Sequence, residues 1–318
     1  MKRKAKIIII AFVILALIIG AAVFLAQRRA ESAPEAVPVM REPVESVTFL
    51  TDIQYQITEG DNCYLDVAFQ DDGKEKPLLI FVHGGSWVGG DKEEMSAFLH
   101  TFSALGYTAA SVNYDLLNVT GALQGNCFSI MDEEACIAAA VDYLAQNAEK
   151  YQIDTEKVVL IGHSAGGQLI GHLSEQISDH PEDVDFHLSG VVLMSVPSDF
   201  RYYLYNNIPI GDLEYSLVDV SFIFDGVYGT DVIAEINKAD ILYNITENLP
   251  PVMLLHGSDD VSVPVSLSQN LYEALEAKGV AAELTILPGA GHDILNNETV
   301  FNEINRFLDQ YIMENKEE

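Results

Sequence analysis

Short apolar runs at regular intervals constrain this chain more than any other feature. Pro77–Val82 reads PLLIFV, Lys157–Ile161 reads KVVLI, Gly190–Val196 reads GVVLMSV and Pro251–Leu255 reads PVMLL. Runs this short, without polar alternation, predict strands buried on both faces. Between them the period lengthens to that of a helix. Glu93–Leu105 stops at Gly106, and Met131–Tyr151 sets Ile137, Val141 and Leu144 on one side. Ala165–Ile177, Val265–Lys278 and Asn297–Met313 follow with helical spacing. Tyr107–Tyr114 and Ala282–Leu287 add further strands, and Val47–Ile57 and Cys63–Phe69 alternate as an antiparallel pair ahead of them. Strands separated by helices predict the α/β class: a mostly parallel central sheet with right-handed crossovers and flanking helices.

Residues 47–318 fit one large domain of this kind. Inside it, residues 200–246 are too long for a plain connection between strands. They carry Tyr202, Tyr203, Tyr205, Tyr215, Phe222, Phe224, Tyr228 and Tyr243. We expect a cap insertion that covers a binding site; the alternative is an elaborated crossover whose aromatics pack the core. Residues 30–46 hold Pro34, Pro38 and Pro43 among charges and suit a linker.

Residues 1–29 are of another character. Ile7 to Ala26 is apolar without a charge, and a helix of that length spans about 30 Å, enough to cross a bilayer core. Lys2, Arg3, Lys4 and Lys6 precede it, which predicts a cytoplasmic amino terminus and an extracytoplasmic domain at the cell membrane. The alternative is a signal segment cleaved near Ala30–Ala33, which would release a secreted protein. All 48 acidic residues come at or after Glu31, against 17 basic residues in the whole chain, six of which lie before Ala30. So acidic a domain repels nucleic acid and other polyanions. The three cysteines, Cys63, Cys127 and Cys136, are too few for a disulfide framework. Cys127 and Cys136 pair if the loop between them folds back; otherwise all three are separate thiols. No cysteine or histidine spacing specifies a metal.

Four motifs carry chemistry. Gly162-His163-Ser164-Ala165-Gly166-Gly167 joins a predicted strand to a predicted helix. Small neighbours let such a turn close with a strained serine at its apex, and the helix behind it points amide dipoles at the site. Ser164 is therefore the candidate nucleophile. His83-Gly84-Gly85-Ser86-Trp87 follows another strand. A tetrahedral intermediate needs at least two aimed donors, and we assign the amides of Gly84, Gly85 and Ala165 to that oxyanion hole. A serine also needs a base, and the base a carboxylate. Leu254-Leu255-His256-Gly257-Ser258-Asp259-Asp260 and Gly289-Ala290-Gly291-His292 end later strands. His292 is the candidate base; of the adjacent pair Asp259 and Asp260, only one side chain can face it. Trp87 is a candidate pocket wall or a loop-packing residue. His163 is a candidate substrate contact with a structural role as its alternative, and His83 and His256 are expected to be structural.

Together these motifs resemble the α/β-hydrolase esterases, in particular the hormone-sensitive-lipase-like and bacterial carboxylesterase or feruloyl-esterase-like branches. The resemblance covers about Val47 to Ile312, with the motifs in family order. It implies that Asp260, followed by Val263 and Pro264, is the acid of a Ser164–His292–Asp260 triad. It implies hydrolysis of small carboxylic esters through an acyl-enzyme, without a cofactor. One departure is clear. The family's Tyr-Arg-Leu after the second parallel strand is replaced by Asn113-Tyr114-Asp115-Leu116, so that arginine's role is lost or transferred. A serine peptidase or amidase of the same fold is the main alternative, and a non-catalytic surface protein the more distant one.

Overall fold

The apolar runs become the centre of one eight-stranded sheet. The computed structural model describes residues 47–58, 61–117, 129–206 and 230–313. Strands β1 (Val47–Gln54), β2 (Tyr64–Gln70), β3 (Lys76–Val82), β4 (Thr108–Val112), β5 (Ile153–His163), β6 (Leu188–Met194), β7 (Val252–Gly257) and β8 (Ala282–Leu287) lie in the order β1-β2-β4-β3-β5-β6-β7-β8. β1 and β2 are antiparallel, as is β2 against β4; every pair from β4 to β8 is parallel.

Every residue of β3 and β7 is buried, and the pleat explains why an unbroken apolar run suits them. Leu78, Ile80 and Val82 face one apolar cluster, while Leu79 and Phe81 face the other. Helices cover both faces. α1 (Ser96–Ala104) and α9 (Glu298–Leu308) contribute Phe98, Phe102, Ile304 and Phe307 to one side. α2 (Ile130–Gln146), α4 (Ala165–Asp179) and α8 (Val265–Lys278) contribute Ile137, Val141, Leu169 and Leu271 to the other.

The helix expected over Met131–Tyr151 is two pieces. α2 stops at Gln146, and a short α3 (Ala148–Tyr151) follows a break at Asn147, whose amide side chain donates to the Tyr143 carbonyl at 2.7 Å. Of the expected cap, α5 (Phe200–Asn206), α6 (Thr230–Ala239) and α7 (Ile241–Asn244) are described; Tyr215, Phe222, Phe224 and Tyr228 lie outside the described residues. Where described, this segment is tied down by polar contacts. Asp240 accepts from the Phe200 amide at 3.2 Å, and Gln168 on α4 donates to the Ala239 carbonyl at 3.0 Å. Tyr203 is buried in the core, whereas Tyr243 is exposed beneath the Arg201 guanidinium. The apolar run Ile7–Ala26 and Cys127 also lie outside the described residues, and among those described no helix is long and apolar enough to cross a membrane.

Candidate active site

Because β3, β5, β7 and β8 share one direction, their carboxyl ends share one edge of the sheet. β4, which follows β3 in the chain, lies on one side of it, and β5 lies on the other. That reversal opens a crevice outside the strand ends, where open α/β sheets place their sites. Each of the four motifs leaves a strand at this edge.

Ser164 sits between β5 and α4 with φ 51° and ψ −120°, outside the comfortable regions for a side-chain-bearing residue. The turn is held from both sides. The Ser164 amide continues the ladder to the Met194 carbonyl at 2.8 Å, and its carbonyl accepts from Gln168 at 3.0 Å. The first and second motifs press together so closely that a Cβ on Gly166 would lie 2.2 Å from the His83 carbonyl oxygen. Ala165 occupies the first position of α4, where an amide has no acceptor within its own helix. Gly84 backs onto the same turn, its missing Cβ 3.0 Å from Ser164 Cβ.

The structure brings Ser164, His292 and Asp260 into one hydrogen-bonded row. His292 Nε2 lies 2.9 Å from Ser164 Oγ, and His292 Nδ1 lies 2.7 Å from Asp260 Oδ2. A carboxylate oxygen only accepts, so Nδ1 carries the proton and Nε2 is left to accept from the serine hydroxyl. Asp260 is the acid that faces the histidine; Asp259 is exposed and accepts the Ser258 hydroxyl at 2.6 Å. Asp260 Oδ1 accepts from the amides of Ser262 and Val263, each at 2.8 Å. Its Oδ2 also faces His256 Nε2 at 3.1 Å. Burial alone would raise the Asp260 pKa, but the donors from His256, His292 and the backbone outweigh it and hold the carboxyl well below its ordinary range.

Three further residues position this row. His256 is fully buried, and its Nε2 also lies 2.9 Å from the Val263 carbonyl. That nitrogen therefore carries the proton, and Nδ1 faces the Ser268 hydroxyl at 2.7 Å. The His292 carbonyl accepts from His163 Nε2 and from Ser195 Oγ, both at 3.1 Å. Burial, and then the proximity of His292, lower the His163 pKa to about 4, so this imidazole is neutral at neutral pH. The loops bearing Asp260 and His292 also meet: a Cβ on Gly257 would lie 2.2 Å from the Gly291 carbonyl oxygen.

Sequence reasoning missed Ser195. The signal was its register, since His163 pairs with Met194 and the next residues, Ser164 and Ser195, leave neighbouring strands together. Trp87 is buried, donates from Nε1 to Gln168 at 3.0 Å and packs on Phe200 with ring centroids 5.3 Å apart, which is a loop-packing position. His83 is buried and stacked on Tyr114 at 4.6 Å; its Nδ1 donates to the Gly84 carbonyl at 2.7 Å. The Tyr114 hydroxyl donates to the His83 carbonyl at 3.0 Å, and Asn113 is bonded to Asp91 and Lys92. The segment that replaces Tyr-Arg-Leu thus braces the glycine loop by other bonds.

Residues 65–275 match the BD-FAE family, which is more than half of the chain. The chain belongs to the BD-FAE family. This BD-FAE chain is 26% identical over 232 residues to an isoprenylcysteine alpha-carbonyl methylesterase of Arabidopsis thaliana, covering 68% of its own length and 50% of the relative. It is 27% identical over 237 residues to esterase LipC of Mycobacterium tuberculosis, covering 69% and 53% respectively. It therefore spans about half the length of the curated relatives it matches. Its fold is shared with esterase B from Lactobacillus rhamnosis, which superimposes with a TM-score of 0.69 at 21% identity, over 93% of this chain and 96% of that one.

Proposed function

We propose that the protein hydrolyses small carboxylic esters through an acyl-enzyme. The observation that carries this reading is the row from Ser164 Oγ through His292 to Asp260, at 2.9 and 2.7 Å. His292 Nε2 takes the hydroxyl proton as Ser164 Oγ attacks the carbonyl carbon. Asp260 holds the ring in the tautomer that makes this transfer possible and offsets the imidazolium charge. The amides of Gly84, Gly85 and Ala165 receive the oxyanion. His292 then returns the proton to the departing alcohol, and water, deprotonated by the same nitrogen, releases the acid. Each step uses the chain's own groups, with no cofactor. The aromatic content of residues 200–246 supports reading this insertion as a substrate cap. The charge pattern around Ile7–Ala26 supports placing the domain outside the cell membrane on a single anchor.

The test is hydrolysis of p-nitrophenyl esters of increasing acyl length by the full chain, with Ser164→Ala as control. Hydrolysis is expected, with kcat falling by roughly 10^4-fold or more in the variant. Folded protein inert on every ester, but active on aminoacyl p-nitroanilides, would replace the esterase reading with an amidase. Hydrolysis unchanged in Ser164→Ala would overturn the role of this serine.

A further inference from the structure

Cys63 and Cys136 are 73 residues apart in the chain, yet their sulfur atoms lie 3.3 Å from each other. Cys63 stands at the entry to β2 and Cys136 on the inward face of α2; both are buried. Asp115 completes the neighbourhood, with its Oδ2 buried and unpartnered among the described residues. We propose that Cys63 and Cys136 form a disulfide that fastens the start of β2 to α2.

Two observations favour this bond over a metal held by the same three residues. In a tetrahedral thiolate site with metal–sulfur bonds of about 2.3 Å, the two sulfurs sit roughly 3.8 Å apart. At 3.3 Å this pair is already closer than that, and inside van der Waals contact. A disulfide is also uncharged, which suits a site beside a buried carboxylate and so far from water.

The chemistry is exchange with a small-molecule disulfide such as oxidised glutathione. The Cys63 thiolate attacks one glutathione sulfur and expels the other as a thiolate. The Cys136 thiolate then attacks Cys63 Sγ in the mixed disulfide and expels the second glutathione. The cysteine pair loses two electrons, the glutathione disulfide gains them, and the two thiol protons end on the two departing thiols. Because both sulfurs are buried in the folded chain, the bond forms before α2 docks and is afterwards shielded from reductant.

This bond sits behind the glycine loop. Asn62, next to Cys63, donates to the Tyr114 carbonyl at 2.7 Å, and Tyr114 donates to the His83 carbonyl. Its loss should loosen that frame without removing any group from the crevice.

The experiment folds the full chain in a glutathione redox buffer, unfolds it in the presence of an alkylating agent, and maps the peptides without reduction. A single cross-link between the Cys63 and Cys136 peptides is expected, with one alkyl group on Cys127 and an intact mass about 2 Da below that of the reduced chain. Wild type reduced while unfolded and refolded without oxidant should melt about 5–10 °C below the oxidised wild type, and the same treatment should leave the melting temperature of Cys63→Ala/Cys136→Ala unchanged. Alkylation of all three cysteines without reduction would overturn the proposal, as would a cross-link that includes Cys127. Protection of the thiols that is lifted by a chelator rather than by a reductant would overturn it in favour of a metal site.

Discussion

At the amino-terminal end of α4, the row that includes Asp260 surrounds one carboxylate with two backbone amides and two histidines. About three turns along the same helix, Glu175 is equally buried, and neither of its carboxyl oxygens has a partner among the described residues. Its neighbours add no relief. Glu134 bonds His172 at 2.8 and 3.0 Å, and Asp240 holds one oxygen unpartnered. The outcome differs accordingly. Asp260 stays ionised far into acid, whereas burial and nearby carboxylates push Glu175 up to about 10 and Asp240 to about 7. The helix shows two solutions to one problem. Where a fixed negative charge is needed beside an imidazole, the chain supplies donors; where none is needed, it lets a proton remove the charge.

This contrast can be broken most severely at Asp260. Asp260→Asn keeps the shape but reverses the hydrogen bond that sets the His292 tautomer, so kcat should fall by about 10^4-fold, read as ester hydrolysis at saturating substrate. Gly166→Ala forces a methyl group against the His83 carbonyl; a displaced elbow should cost about 10^2-fold in kcat/KM, together with a lower melting temperature. His256→Ala removes one of the two histidines on Asp260 and leaves the row itself. We expect a loss of about tenfold in kcat with KM little changed, and an intermediate loss for His256→Gln; a fall confined to stability would deny His256 its positioning role.

The smallest effect is expected at the other end of the helix. The folded pKa of Glu175 lies above the unfolded value of about 4.3, so the folded chain holds a proton that the unfolded chain releases. Its burial therefore costs least in acid and progressively more as pH rises from about 4 toward about 10. Glu175→Gln should raise the melting temperature by a few degrees at pH 8 and by less at pH 5, with ester hydrolysis unchanged. Thermal unfolding at the two pH values reads the difference; an equal shift at both would show that the carboxyl is ionised in the folded protein.

The sheet and the four motifs were legible because both are local. An apolar run reports burial on two faces without naming what covers it, and a glycine-flanked serine reports its own turn. What escaped was decided by residues far apart in the chain. His256 looked structural because its strand-end position gave no sign that it shares Asp260 with His292. Ser195 is one more serine until the register sets it beside Ser164. By sequence the readings for Cys136 are a pair with Cys127, nine residues away, or a separate thiol, while the neighbour found is Cys63, across the space between β2 and α2. The buried acidic cluster of Glu134, Glu175 and Asp240 was equally hidden, because nothing in their local spacing separates them from the many acidic residues on the surface.

The close approach of Gly257 to Gly291 has a mechanical consequence. With no side chain between them, the loop bearing Asp260 and the loop bearing His292 touch backbone to backbone and should move as one piece. Heat or denaturant that disables the site short of global unfolding should then part His292 from Ser164 before it parts His292 from Asp260. The weak seam of this crevice then runs between Ser164 and a rigid Asp260–His292 unit, and stabilising bonds added for durability belong across that seam.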